Sequence, residues 1–296
     1  MRIILTGSHG FLGSHLVPLF KEHKLFLPTH KEIDFKDSKD CDLAVLNQDI
    51  VVHLAAVVGG IGFNQNYPAT LFYDNALMGI NLIEAARKAH VKKVVIIGTI
   101  CAYPKITPVP FKEENIWNGY PESTNASYGL AKKMLLVMLQ AYRKQYGFNG
   151  IYLLPVNLYG EGDNFNDDSS HVIPALIKKF VNAKDEVVIW GTGTPTREFL
   201  YVKDAAQGIY LATKNYEGGE PVNLGSGMEI SIKDLAYKIA GIVGYKGRIV
   251  FDKSKPDGQP RRSLDTTRAL QFGFKAKTSF DDGLRQTIKW YQKFQS

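Results

Sequence analysis

The stretch RIILTGSHGFLGSHL, residues 2–16, decides the fold. RIILT suits a buried strand. It runs straight into a turn carrying Gly7, Gly10 and Gly13, and SHLVPLFKEH continues as a helix. In that strand–turn–helix setting the glycines let the backbone turn tightly and approach a pyrophosphate seated on the helix N-terminus. Ser8, His9, Phe11 and Leu12 complete the turn and join the expected dinucleotide contacts.

Outward from this turn, β-rich runs alternate with helical stretches: KLFLP (24–28), DIVVHLAA (49–56), KVVIIG (93–98) and GIYLLPVN (150–157). Alternation of this kind predicts parallel strands joined by crossover helices, a Rossmann-like doubly wound α/β sheet. The pattern changes after residue 160. EGDNFNDDSSH (161–171) is polar and loop-like, HVIPALIKKFVNA and ISIKDLAYKIAGIVG read as helices, VVIWGTGTPTREFLYVKD as strands and turns, and SKPDGQPRRS (254–263) as a charged loop. The expected organisation is a sheet domain of residues 1–160 and 198–226 and a smaller, discontinuous α/β domain of 161–197 and 227–296.

Composition narrows the class. The 296 residues are 45% apolar and 22% charged, ordinary for a globular protein, and no apolar run reaches the ~18 residues of a membrane span. The net charge of +7 fits an anionic ligand, but the basic residues are dispersed and no nucleic-acid motif is present. Two cysteines build no disulfide framework or metal cluster, and the N-terminus lacks a signal-peptide layout. A cytoplasmic protein without metal, membrane or nucleic-acid partner is expected. Helices 70–90 and 128–146 each carry apolar residues on two faces, as with Phe72 and Leu71 or the run MLLVML (134–139). A helix packed on one side shows one stripe, so a homodimer through these helices is expected.

Two sites carry chemistry. At the tip of the second strand, Thr29, His30 and Lys31 offer no acid, and Asp34 lies beyond. A cationic tip suits the extra phosphate of NADP, with His30 and His9 as contacts. Tyr128 and Lys132 form Tyr-x-x-x-Lys at a helix head, where a spacing of four puts both on one face. The ammonium is expected to lower the phenol's pKa. Thr99, after strand KVVII, adds a hydroxyl that polarises a carbonyl, and Cys101 stands two residues on. A thiolate there suits proton abstraction beside a ketone. His171, after the polar loop, is the candidate acid on the opposite face.

The GxxGxxG turn is the variant of short-chain dehydrogenase/reductases. With CAYPK, NLYGEGDNF, SHVIPALIKKF, WGTGTPTREFL and SKPDGQPRR in order, nearly the whole chain resembles the GDP-L-fucose synthase family, the GDP-4-keto-6-deoxy-mannose 3,5-epimerase/4-reductases of the extended branch. The resemblance implies NADP(H) as cofactor. It implies Tyr128 as proton donor to the carbon-4 oxygen, with Lys132 assisting and Thr99 orienting. It implies Cys101 as base and His171 as acid in the epimerisations. It also implies Pro155, Asn157, Leu158, Lys132 and His171 on the cofactor, and Lys179, Trp190, Arg197, Asp257 and Arg262 on the GDP-sugar. This chain departs from the family pattern in having Thr99 for serine, Ile100 for a small polar neighbour, Lys179 for arginine, and Ser8-His9 for a basic pair. A related GDP-linked 4-keto sugar, or a 4-reduction alone, is the alternative.

Overall fold

The computed structural model describes residues 1–295 apart from Asp168 and Pro256. The first half runs β1 (Arg2–Thr6), α1 (Phe11–Leu16), β2 (Lys24–Phe26), α2 (Ser38–Ala44), β3 (Ile50–His53), α3 (Ile61–Asn66), α4 (Pro68–Lys88), β4 (Lys93–Ile97), α5 (Ala126–Tyr146) and β5 (Gly150–Pro155). The second continues through β6 (Asn157–Tyr159), α6 (Val172–Asn182), β7 (Glu186–Trp190), β8 (Thr196–Tyr201), α7 (Val202–Asn215), β9 (Val222–Leu224), β10 (Glu229–Ser231), α8 (Ile232–Val243), β11 (Arg248–Asp252), β12 (Arg261–Arg262) and α9 (Phe280–Gln295).

Six parallel strands form the main sheet in the order β2-β1-β3-β4-β5-β9. Strands β3, β4 and β5 are buried at every residue, because helices cover both faces. The chain leaves β1 toward β2 on one side and returns to β3 on the other. The β1/β3 boundary is therefore the switch point where such sheets bind ligands at strand C-termini. This is the Rossmann-like sheet the opening stretch predicts.

The strands and turns expected through Asp204 stop earlier: α7 begins at Val202, on a stretch with helical burial spacing at Val202, Ala205, Ala206 and Ile209. Around β8, β6 and β12 pair parallel and β10 antiparallel, while β7 and β11 form a separate parallel pair. A second hydrophobic cluster fills the space between α6, α8, α9 and these strands, through Ile177, Phe180, Leu235, Ile239 and Leu284. Leu264, Ala269, Phe272 and Phe274, which the sequence reading groups with the second domain, pack into the first cluster.

Glu198 joins the two parts. Its side chain is fully buried and accepts hydrogen bonds from the backbone N–H groups of Ser226 (2.7 Å), Gly227 (2.8 Å) and Leu264 (2.6 Å) and from Ser263 Oγ (3.1 Å). Burial raises its pKa although these donors pull the other way. Replacing Glu198 with Ala strands four donors at once. We expect a loss of about 3 kcal/mol or more, read as a lower urea midpoint at unchanged m-value.

Candidate active site

The Gly-rich turn closes on the switch point as the motif requires. Gly7 has φ +68°, and a Cβ there would stand 2.8 Å from the Ala55 nitrogen, just past β3. A Cβ on Gly13 would meet the Gly7 carbonyl and sit 2.7 Å from Ser8. Gly10 caps α1, and its N–H bonds the Gly7 carbonyl (3.1 Å). Ser8 is buried and its hydroxyl pairs with His9 Nδ1 (3.1 Å). Phe11 and Leu12 open the helix, both half-buried. This cradle leaves room for a pyrophosphate and none for a β-carbon, so it fits a dinucleotide.

The tip of β2 needs a correction. His30 is exposed, but an acid does stand there. The chain turns at residues 29–32, and Glu32 Oε2 accepts from both the N–H and the hydroxyl of Thr29 (2.8 Å each). Those bonds, helped by His9, hold the carboxyl below its ordinary pKa. The linear reading missed it because the turn folds residue 32 back on residue 29.

Gly98 and Thr99 follow β4, and Thr99 caps a short 3-10 turn of residues Ile100–Ala102, accepting from the Cys101 N–H (3.2 Å). Helix α5 rests on this turn. A Cβ at Gly129 would overlap the Cys101 carbonyl, so glycine alone permits the approach. Tyr128 (8% exposed) and Lys132 (1%) are thereby brought to the strand end that carries Thr99 and half-buried Cys101.

The electrostatics differ from expectation at Tyr128. Burial, then the neighbouring Cys101, push the phenol's pKa up, and Lys132 does not offset this. Burial acts on Lys132 as well, lowering its pKa to about 8. The phenol stays protonated at neutral pH, which suits a proton donor. Among the described residues no salt bridge involves Lys132, so its buried ammonium is available to a bound ribose.

His171 is the N-cap residue of α6. Its side chain is exposed, yet burial lowers its pKa. The loop before it is anchored at both ends. The Glu161 carbonyl bonds His15 Nε2 (2.8 Å) and its carboxylate takes Tyr201 and Lys203, while the Ser169 carbonyl accepts from Gly60 N–H (3.0 Å). Pro155, Asn157 and Leu158 lie where β5 passes into β6, with Asn157 Nδ2 on the Glu198 carbonyl (2.9 Å).

The remaining candidates cluster on the second hydrophobic unit. Arg197 and Arg262 are register partners on β8 and β12, and neither makes a salt bridge among the described residues. Burial and then Arg262 lower the Arg197 pKa to about 10, against a partial offset from Asp257. Asp257 accepts from Thr192 N–H (2.6 Å) and hydroxyl (2.8 Å). Trp190 ends β7, 66% exposed, with Lys255 over its ring at 5.5 Å. Lys179 donates to the Val188 carbonyl (2.8 Å) and its pKa falls through burial. Sequence reasoning missed Asn75, which holds Val57 through its N–H (3.1 Å) and carbonyl (2.8 Å). A polar asparagine on the buried side of a largely apolar helix was its only signal.

A dinucleotide cradle with an adjacent tyrosine–lysine pair defines a nucleotide-dependent oxidoreductase or epimerase. The chain belongs to the NAD dependent epimerase/dehydratase family, which it matches over residues 3–225. Within that family it is 40% identical to GDP-L-fucose synthase 1 of Arabidopsis thaliana, across 99% of this chain and 93% of that one. Its structure superposes on a GDP-6-OMe-4-keto-L-xylo-heptose reductase from C. jejuni with TM-score 0.94 at 28% identity, covering 99% and 98% of the chains. A GDP-L-fucose synthetase from Naegleria fowleri, bound to NADP, gives 0.90 at 28% identity, covering 99% and 94%.

Lys132 titrates within the working range, because burial lowers its pKa to about 8. It is charged below about pH 8 and neutral above, so a dinucleotide held by its ammonium would be released on the alkaline side. Affinity for reduced nicotinamide dinucleotide, followed by fluorescence from pH 6.5 to 9.5, is expected to fall above that point. The limiting slope is about tenfold per unit, with no second break from Tyr128. A flat profile would remove Lys132 from cofactor binding.

Proposed function

We propose that this protein is an NADP-dependent enzyme that epimerises carbons 3 and 5, and reduces carbon 4, of GDP-4-keto-6-deoxy-D-mannose to give GDP-L-fucose. The observation that carries the reading is the meeting of Thr99, Cys101, Tyr128 and Lys132 at one strand end, under the contact that Gly129 allows. The 40% identity to a GDP-L-fucose synthase supports it. The NADP in the Naegleria structure supports the cofactor, and Lys31 offers a positive charge beside the β2 tip even with Glu32 folded back onto Thr29.

The order of events follows from the ketone. Its carbonyl acidifies the protons on carbons 3 and 5, so epimerisation precedes reduction. The Cys101 thiolate takes one such proton. The electron pair moves to the carbonyl oxygen, and hydrogen bonds from Thr99 and the protonated Tyr128 hold the resulting enolate. His171 returns a proton to the opposite face of the same carbon, and the ketone reforms with inverted configuration. Burial keeps His171 largely neutral at pH 7 in the free enzyme. The charge of a bound diphosphate favours its protonated, donating form. NADPH, when bound, supplies the hydride to carbon 4. Tyr128 gives its proton to the oxygen, and Lys132 steadies the cofactor's ribose beside it. Arg197 and Arg262 take the diphosphate, Lys179 adds charge, Trp190 offers a flat face to the base, and Asp257 fixes the turn that presents Trp190.

The C. jejuni heptose reductase favours a second reading, 4-reduction without epimerisation on another GDP-linked keto-sugar. Turnover of GDP-4-keto-6-deoxy-D-mannose with NADPH in deuterated water separates the two. Deuterium at carbons 3 and 5 is the expected result, with Cys101→Ser lowering its incorporation at least 100-fold more than it lowers cofactor oxidation. Cofactor oxidation without deuterium would leave a reductase.

The protein acts as a homodimer in the cytoplasm on this reading. Phe72 and Tyr73 on α4 and Val137 on α5 are 42%, 62% and 49% exposed, an apolar face that a second copy would cover. No helix among the described residues is long and apolar enough to cross a membrane. Sedimentation is expected to give twice the 33.0 kDa chain mass, and Tyr73→Glu with Val137→Glu to give the single chain.

A further inference from the structure

Strand β12 carries two arginines whose charges are handled differently. Side chains alternate along a strand, so Arg261 and Arg262 leave it on opposite faces. Arg261 grips Glu229 with both ends of its fork, Nε on Oε1 and Nη2 on Oε2, each at 2.7 Å. A carboxylate thus cancels its charge. Arg262 donates through Nε to the Gln259 side-chain oxygen at 2.6 Å. An amide satisfies that nitrogen and leaves the positive charge in place.

Gln259 is 8% exposed, and its other end is fixed too: Nε2 donates to the Lys105 carbonyl at 2.7 Å. An arginine Nε can only donate and a carbonyl can only accept, so a single orientation of the amide satisfies both contacts. Lys105 closes the CAYPK segment that begins at Cys101. The Arg262 guanidinium is thereby tied to the segment after β4. Arg197, its register partner, stands beside the same loop: a Cβ on Gly258 would lie 3.6 Å from Arg197 Nη2. Glu122 lies within the field of Arg262, but its oxygens are engaged by Ser123, Thr124 and Asn125. Among the described residues no ion pair joins Glu122 to Arg262, and the Nη groups of Arg262 donate to no protein acceptor.

We propose that Gln259 is a positioning residue of the diphosphate site: it fixes the Arg262 guanidinium against the segment after β4 and, being neutral, leaves the charge and both Nη groups for an incoming phosphate. A carboxylate in the same place would hold the guanidinium equally well but consume the charge that the phosphate needs. Arg261 and Glu229, one residue along the strand, show that outcome. The inference rests on the assignment of Arg262 to the diphosphate made above.

The test is calorimetric titration of the full chain with GDP and, separately, with guanosine. Gln259→Met keeps the length of the side chain and removes both hydrogen bonds. It is expected to weaken GDP binding about tenfold and leave guanosine binding unchanged. Gln259→Glu keeps the acceptor and adds a charge, and GDP affinity is expected to fall at least as far. An equal loss of GDP and guanosine would mean that the substitution disrupts the loop as a whole, and overturns the proposal. GDP binding by Gln259→Glu at the unaltered affinity overturns it as well. Gln259→Met is repeated in an Arg262→Met background. An effect that disappears there acts through Arg262, and one that persists overturns the proposal. If Arg262→Met alone leaves GDP affinity unchanged, the assignment of Arg262 to the diphosphate has failed, and the proposal with it. If Arg262→Met weakens GDP binding and Gln259→Met does not, the proposal alone has failed.

Discussion

The absence of a β-carbon at Gly129 is the constraint on which the site depends. Helix α5 lies against the Ile100–Ala102 turn so closely that an alanine there would overlap the Cys101 carbonyl. That contact brings together two stretches of chain with different chemistry. The turn after β4 supplies a hydroxyl and a thiol, and the helix supplies a phenol and an ammonium. The sheet fixes the first pair, because β4 is buried along its length between β3 and β5. The packing of α5 against α4, where Leu135 fills the space left by Gly79, helps fix the second.

Burial then sets the chemistry more than pairwise charge does. Tyr128 is driven toward its neutral, proton-bearing form and Lys132 toward losing its charge, each by removal from water. In this free enzyme desolvation wins at both groups. A phenol that keeps its proton until an oxygen beside it gains negative charge is suited to reduction, where that proton is consumed.

Much of this was legible in the sequence. The strand–glycine–helix opening and Tyr-x-x-x-Lys are local patterns whose spacing carries their geometry, and both lie where the linear reading puts them. Residues whose role depends on a fold-back were not legible. Glu32 reaches the β2 tip through a turn, Asn75 meets Val57 eighteen positions away, and Glu198 gathers donors from two distant segments. The start of α7 was missed because Phe-Leu-Tyr-Val reads as strand until the helical spacing of its alanines is followed past Asp204. Leu264 to Phe274 were grouped with the second domain because sequence order, unlike packing, gives no sign that the chain returns to the main sheet.

The tethering of the loop before His171 has a consequence for how such an enzyme diverges. The groups assigned to hydride transfer are built into the sheet and α5, where a change threatens folding. The acid assigned to epimerisation is carried on a segment hooked to Gly60 at one end and to His15, Tyr201 and Lys203 at the other. Selection can therefore alter or discard the stereochemical step by editing a surface loop, while the reductive step is inherited with the fold.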